Sequence, residues 1–497
     1  MRTIAGIPFY PVLFVGLVVL SAMTETGTHV HATLRVWAIA MAISLGVLAL
    51  WFAATRRAGV AGFGAFATLW LLVSRDLDRI WLGLISVAVG IAVLVVIRRM
   101  AGGRIPWSKV TETLNLIGLL ILVLALLRGV GNGTIPAVIE DLTATREDLS
   151  ANTGGAGRPD IYIVLLDGYP RSDVLADVSG MDNRPFLDAL SERGFEVAAR
   201  SRSSYMYTDL TLTTLLHGRH LADIPEIRSR LGESDRPSLV RQVLNEAPLV
   251  ERLRAAGYLV IANAQAWDEP ALRNVDLYVE GRGLNEFERF IWGLTIPGAL
   301  QERFDQAIYQ DAIEPWVEDA FDAFEYAAGV DTDRPRFAFI HVPSPHFPII
   351  FNADGSRADA AFGRHHPDHV PAPELSTRAA YAGQIAYLND RVLQLLDETP
   401  VPEDAVVILM SDHGPEFGLN WTDGSSSDLT TRFGAFFAAR APDGTFSDDM
   451  NTSAALLALL RSMDLTDAPA LEGRYFVSNA LGKLASLAEV SDPWAAR

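Results

Sequence analysis

No cysteine occurs among the 497 residues, so disulfides, thiolate metal sites, cysteine nucleophiles and iron–sulfur clusters are excluded. Any metal has to be held by Asp, Glu, His, hydroxyl or carbonyl groups, a donor set suited to a hard or borderline divalent ion. Lysine is nearly missing as well: Lys109 and Lys483 are the only two, and arginine carries the positive charge. No internal repeat is visible, and the length suits two or three domains. The net charge of −19 is unevenly spread. Residues 1–135 hold eleven Arg/Lys against four Asp/Glu, a net +7, which leaves −26 for the remainder. That acidic part lacks the basic face phosphate contacts need, which argues against a nucleic acid partner.

The first quarter carries five apolar stretches, roughly 7–23, 32–54, 59–74, 79–97 and 113–129. Each is close to the ~17–25 residues that cross a bilayer core as a helix. The segment "TETGTHVHAT" between the first two has no Arg or Lys, whereas Arg56–Arg57 follow the second and "RRMAGGRIPWSK" follows the fourth. The positive-inside tendency therefore places the N-terminus and those two loops in the cytoplasm, and an odd number of spans delivers everything beyond Val130 to the outside. No cleaved signal peptide is expected, since further spans follow the first. Hardly any ionisable residue interrupts the stretches, so a transporter is set aside. Residues 136–152 have acidic helical spacing and run into the linker-like "NTGGAGRP". The expected organisation is a five-span membrane domain (1–135), an amphipathic linker (136–158) and an extracytoplasmic domain (159–497).

In that last part apolar runs alternate with amphipathic stretches, the pattern of an α/β domain with a mostly parallel central sheet flanked by helices. "DIYIVLLDGY" ends its apolar run at Asp167, "FAFIHVPSPHFP" passes His341 and reaches His346, and "VVILMSDHG" ends at Asp412–His413. "GYLVIA" and "FEVAA" are further strands without such endings. Ligands gather outside the carboxyl ends of strands in open α/β sheets. Three runs ending in Asp, His and Asp-His thus predict one site. A fourth element, "SSYMYTDLTLTTLLHGRH", sets Thr208 and Asp209 before a helical run. A hydroxyl there either caps the helix or sits at an anion-binding N-terminus as a nucleophile.

Taken in order, "RPDIYIVLLDGYPRSDV", "YTDLTLTTLLHG", "HVPSPHFP" and "SDHGPEFG" resemble the sulfatase-like branch of the alkaline phosphatase superfamily. By motif they are most similar to membrane phosphoethanolamine transferases and lipoteichoic acid synthases. The resemblance covers roughly Pro159 to Phe476. Laying the arylsulfatase pattern C-x-P-S-R-x-x-L-L-T-G on Thr208 to Gly218 puts Thr208 where a sulfatase carries the cysteine that becomes formylglycine. With no cysteine in the chain, the hydrated-aldehyde route to sulfate esters is closed, and threonine is what phospho-transferring relatives use. The resemblance implies Asp167, Thr208, Asp412 and His413 as ligands of one divalent ion (Mn, Zn or Mg), with Thr208 as nucleophile. It makes His346 the residue that contacts the transferred group and moves its proton. His341 has a substrate-binding counterpart in the transferases, and the plain alternative is a buried strand histidine.

One departure stands out. Where the transferases have a further histidine beyond the Asp-His pair, this chain has Ser425, so a second tightly held ion is not expected. The cluster His365 to His369 and the pair His29 and His31 are read as a solvated loop and an interfacial loop. The function implied is a membrane-bound transferase that takes a phospho-group from a phosphodiester through phosphothreonine. Its donor is a phospholipid and its acceptor a glycan or lipid; the alternative is a phosphodiesterase or phosphatase with water as acceptor.

Overall fold

The computed structural model describes the chain apart from residues 1–6, 27–29, much of 74–103, 132–156, 230–236, 306, 361–374, 442–445, 480–483 and 496–497. It falls into two compact units: Met1–Thr145 with Leu284–Asp305, and Arg146–Gly283 with Gln306–Arg497.

The first unit contains helices α1 (Tyr10–Thr26), α2 (Val30–Thr55), α3 (Ala58–Leu72) and α4 (Trp107–Gly131). Small residues let α3 approach its neighbours closely, as in helix packing within a membrane. A Cβ on Gly62 would lie 2.4 Å from Pro8, and one on Gly64 2.4 Å from the Trp51 ring. Asn115, a polar residue in the apolar α4, has a specific task. Its Oδ1 accepts from the N–H groups of Phe9 (2.8 Å) and Tyr10 (2.9 Å), and its Nδ2 donates to the Ile7 carbonyl (2.8 Å). It thereby satisfies donors that the start of α1 would leave orphaned. Within α2 and α4, Thr33–Thr55 and Trp107–Leu127 are long and apolar enough to cross a membrane, yet their most apolar windows are only 11% and 6% buried. Apolar helices with so little protein around them fit a membrane anchor. Two of the five expected spans thus coincide with helices of spanning length. Those at 7–23 and 59–74 coincide with shorter apolar helices, and most of 79–97 lies outside the described residues, as do nearly all of the expected linker, His29 and His365 to His369.

The second unit is built on a seven-stranded sheet: β1 (Ile161–Leu166), β2 (Glu196–Val197), β3 (Leu259–Asn263), β4 (Leu277–Val279), β5 (Arg336–Val342), β6 (Val406–Met410) and β7 (Phe437–Arg440), in the order β2-β7-β6-β1-β5-β3-β4. From β6 to β4 the pairing is parallel, whereas β7 and β2 pair antiparallel at one edge. This is the expected mostly parallel sheet. β1 is fully buried because both faces are covered, and that is why it reads as an unbroken apolar run. Tyr162, Val164 and Leu166 face a core shared with helices Ile308–Gly329 and Leu375–Glu398. Ile161, Ile163 and Leu165 face another, shared with α5 (Thr208–His217) and the helix Thr452–Ser462. β1 lies between β5 and β6, with Leu165 level with His341 on one side and Met410 on the other. The residues just past these three ends are therefore neighbours at the ~4.8 Å strand spacing.

Between β4 and helix Ile308–Gly329 the chain makes two short helices, α6 (Glu286–Gly293) and α7 (Ile296–Phe304). Both belong to the first unit.

Candidate active site

Asp167 follows β1 directly, and its N–H donates to the Val342 carbonyl at 3.0 Å, so the sheet ladder continues to the aspartate itself. Asp412 and His413 follow β6 after Ser411. At Gly414 a Cβ would lie 2.1 Å from the Thr431 carbonyl oxygen, so the turn there has room for glycine alone. Asp167, Asp412 and His413 are all buried, and one donor atom of each lies within 4.8 Å of the others.

The focus is His413 Nε2. Asp412 Oδ2 lies 3.1 Å from it, Thr208 Oγ1 3.2 Å and Asp167 Oδ1 3.6 Å. The four expected ligands therefore meet. His413 Nδ1 donates to the Gly414 carbonyl at 2.9 Å, which leaves Nε2 as the acceptor. Burial, then the Arg432 charge, pushes His413 down to about 4, so the ring is neutral. Asp412 Oδ1 accepts from the Gly168 N–H at 3.1 Å, and Asp167 Oδ2 accepts from His341 Nε2 at 3.0 Å. Asp167 Oδ1 and Asp412 Oδ2, however, are buried with no hydrogen-bond donor. Burial works to raise the Asp167 carboxyl, yet His346 and His341 hold it below the usual carboxylate range. Buried carboxylate oxygens are ordinarily paired. Two that lack a donor and converge on an imidazole lone pair form a donor set that fits a divalent cation.

Thr208 is the first residue of α5, and Tyr207 before it makes no side-chain cap. The threonine hydroxyl is thus not spent on capping; it points at His413. Asp209 is buried, and that, with the Asp412 charge adding, pushes it up to about 6.

His346 lies in the turn after β5. Its Nδ1 donates to the Phe347 carbonyl at 2.7 Å and its Nε2 is 2.8 Å from Glu416 Oε1. Burial works to lower its pKa, but the Glu416 and Asp167 carboxylates hold it up at about 10. His346 is therefore a protonated acid paired with a buried carboxylate, its ring centroid 6.3 Å from that of His413. His341 is a buried strand histidine that orients Asp167, and Asn263 brackets its backbone: the His341 N–H donates to Asn263 Oδ1 (2.9 Å) and Asn263 Nδ2 donates to the His341 carbonyl (3.0 Å). Ser425 is exposed and donates to Asp423 Oδ1 at 2.6 Å. Among the described residues, Asp167, Asp412 and His413 form the one Asp/Glu/His group spaced to hold a metal.

Two residues of the site went unread in the sequence. Glu416 stands inside "SDHGPEFG", but carboxylates after such turns are common and nothing local signals its partner. Arg432 is fully buried; its Nε donates to the Met206 carbonyl at 2.8 Å and its Nη1 to the Gly414 carbonyl at 2.9 Å. It thereby ties the segment before Thr208 to the turn after His413. A tight recess lined by Gly168, His346, Tyr381, His413, Glu416 and Arg432 adjoins this cluster.

The family model described as Sulfatase matches residues 159–437. Among curated proteins none matches. Similar solved structures include the C-terminal periplasmic domain of EptC from Escherichia coli, at 14% identity over 68% of this chain and 94% of that one, with a TM-score of 0.39. The soluble domain of lipooligosaccharide phosphoethanolamine transferase A from Neisseria meningitidis is 13% identical over 65% of this chain and 92% of that one, TM-score 0.38. A phosphonate monoester hydrolase from Silicibacter pomeroyi is 16% identical over 63% and 74%, TM-score 0.41.

Proposed function

The chain belongs to the sulfatase family, and from that premise we propose that it is a metal-dependent enzyme that transfers a phospho-group from a membrane phosphodiester through a phosphothreonine at Thr208. The observation that carries this reading is the Thr208 hydroxyl at 3.2 Å from His413 Nε2, beside two buried carboxylate oxygens that lack a donor. A chain without cysteine cannot form the formylglycine of sulfate-ester hydrolysis, whereas a threonine oxygen can attack phosphorus. Asp167, Asp412, His413 and Thr208 would hold one divalent ion, which supplies charge to the phosphoryl oxygens and makes a neighbouring hydroxyl more acidic.

Thr208 Oγ1 forms the new bond to phosphorus and its proton is lost to solvent. The bond from phosphorus to the departing alcohol breaks, and His346 gives that oxygen its Nε2 proton. Glu416 steadies the cationic ring before this transfer. An incoming alcohol then attacks phosphothreonine and returns a proton to His346, while the bond from phosphorus to Thr208 Oγ1 breaks and that oxygen regains a proton from solvent. Little covalent chemistry is asked of the protein beyond alignment and charge.

We place the apolar N-terminal unit in the cell membrane as a multi-pass anchor, with the sheet-bearing unit outside. A lipid head-group phosphodiester is then the donor at hand, and a glycan or lipid alcohol the acceptor. The test is to incubate the full-length protein, in vesicles with Mn, Zn or Mg added, with phospholipids labelled in the head group, and to map the label by intact and peptide mass spectrometry. An adduct on Thr208 that chases onto an added alcohol is expected. Label that appears only as free head group identifies hydrolysis with water as acceptor, and turnover by a Thr208→Ala variant at the wild-type rate would sink the covalent route.

A further inference from the structure

The two helices α6 and α7 leave the sheet-bearing unit after Gly283 and return to it at Gln306. They form a built element. A capping box closes the start of α6: Asn285 Oδ1 accepts from the Glu288 N–H and Glu288 Oε2 from the Asn285 N–H, both at 2.9 Å. Thr295 joins the helices, its hydroxyl donating to the Trp292 carbonyl (2.7 Å) and accepting from the Gly298 N–H (3.1 Å). At Gly298 a Cβ would lie 2.0 Å from the Trp292 carbonyl oxygen, so the fold-back demands glycine. Trp292 Nε1 also donates to Gln301 Oε1 at 2.8 Å, across the two helices.

One side of this hairpin is fixed to α1 and α2. Phe287, buried, packs among Val19, Ala22, Met23 and Val36, and Glu288 forms a two-bonded ion pair with Arg35. These partners lie near the end of α1 and the start of α2, and the sequence of α1 turns polar at Thr24, Glu25 and Thr26. The other side is apolar and uncovered: Trp292 is 44% exposed, Leu300 42% and Phe304 72%. Leu300 and Phe304 stand one turn apart on α7, with exposed Pro297 in the same strip.

We propose that α6 and α7 form an interfacial membrane anchor, with Trp292, Leu300 and Phe304 seated at the boundary between head groups and acyl chains. The proposal rests on the membrane placement of α1–α4. Lipid is the occupant because the hairpin belongs to the unit whose spanning helices show almost bare apolar flanks. It also docks at the end of the bundle, where apolar span gives way to polar chain, which is the level at which tryptophan and amphipathic helices settle. At 8 and 9 residues the two helices are too short to span, and exposed Glu302 and Arg303 give α7 a side suited to water.

The absence of cysteine permits a direct test in the full-length chain. Phe304→Cys, Leu120→Cys on exposed α4 positions and Arg184→Cys on the sheet-bearing unit each receive a fluorophore, in vesicles whose lipids carry bromine at graded depths. The label at 304 is expected to lose most of its emission to bromines about 5–10 Å below the head-group boundary. The label at 120 should be quenched by the deepest bromines, and that at 184 should stay bright. Leu300→Cys repeats the measurement one turn away. A label at 304 as bright as that at 184, with 120 quenched, overturns the anchor and leaves the membrane placement standing. Labels at 304 and 120 both bright overturn the placement and the anchor with it. Protection at 304 that grows with protein-to-lipid ratio assigns the face to a second copy and likewise overturns the anchor.

Discussion

Replacing Asp412 by Asn should move stability in opposite directions with and without metal. The exchange keeps the side-chain shape and the bond from Gly168 N–H to Oδ1. It turns Oδ2, which has no donor, into an amide that can donate toward Asp167 Oδ1. Asp167 and Asp412 present oxygens within 4.8 Å of each other. At an effective dielectric of about 20, two unit charges at that distance repel by ~3 kcal/mol, part of which His341 and His346 offset. Without metal the variant should therefore unfold a few degrees higher than wild type, at ~2–4 °C per kcal/mol for a domain of roughly this class. With metal at a hundred times its dissociation constant, wild type gains ~2.7 kcal/mol, and the variant should gain almost nothing. The assay is thermal unfolding of the full-length protein in detergent, with chelator and with added Mn or Zn. A variant that melts lower than wild type by the same margin in both conditions, or that keeps the wild-type metal-induced rise, would show that the cluster is not a cation site.

Thr208→Ala should lower turnover by ~10³-fold or more and reduce, without abolishing, the metal-induced rise in melting temperature, since it removes the nucleophile and one of four ligands while Asp167, Asp412 and His413 remain; Thr208→Ser should retain measurable activity. Glu416→Gln should cost about 10²–10⁴-fold on substrates with alkyl leaving groups, where a general acid matters, and far less on a nitrophenyl ester; equal losses on both would remove His346 from acid catalysis. Because the His346 pKa in the folded chain is raised from 6.5 to about 10, its contribution to stability is complete below about 6.5 and is lost as pH rises through about 10. The stability gap between wild type and Glu416→Gln, followed by melts in chelator, should accordingly narrow across that window. Gly414→Ala should destabilise by ~2 kcal/mol or more, because its Cβ meets backbone that cannot yield, with loss of metal response as the readout.

The ligand cluster was legible in the sequence because each of its strands is buried on both faces and so reads as an unbroken apolar run, against which Asp167 and Asp412–His413 stand out. Their convergence follows from β1 lying between β5 and β6, a neighbour relation that chain order alone leaves open. Glu416 and Arg432 were opaque for a different reason. Their meaning lies in partners distant along the chain, His346 and the Met206 carbonyl, and a buried arginine in "TTRFGAFF" looks like any other charge beside a turn. His346 was found but its surroundings were not: the Glu416 carboxylate 2.8 Å from its Nε2, which raises its pKa, comes from a separate loop. The membership of Leu284–Asp305 in the first unit had no signature either, since "ERFIWGLTIPGALQERF" reads as a pair of amphipathic surface helices, and what such a face meets is decided by tertiary context.

That inserted hairpin bears on how the protein can be divided for the bench. A fragment begun at residue 159 to free the sheet-bearing unit from detergent would still carry Leu284–Asp305, now stripped of Val19, Met23 and Val36 and of the Arg35 counter-charge. Phe287 and a carboxylate without its partner would then face solvent, inviting precipitation that has nothing to do with the catalytic fold. A shorter piece in which a few glycines and serines bridge Gly283 to Gln306 is the cut the chain itself suggests.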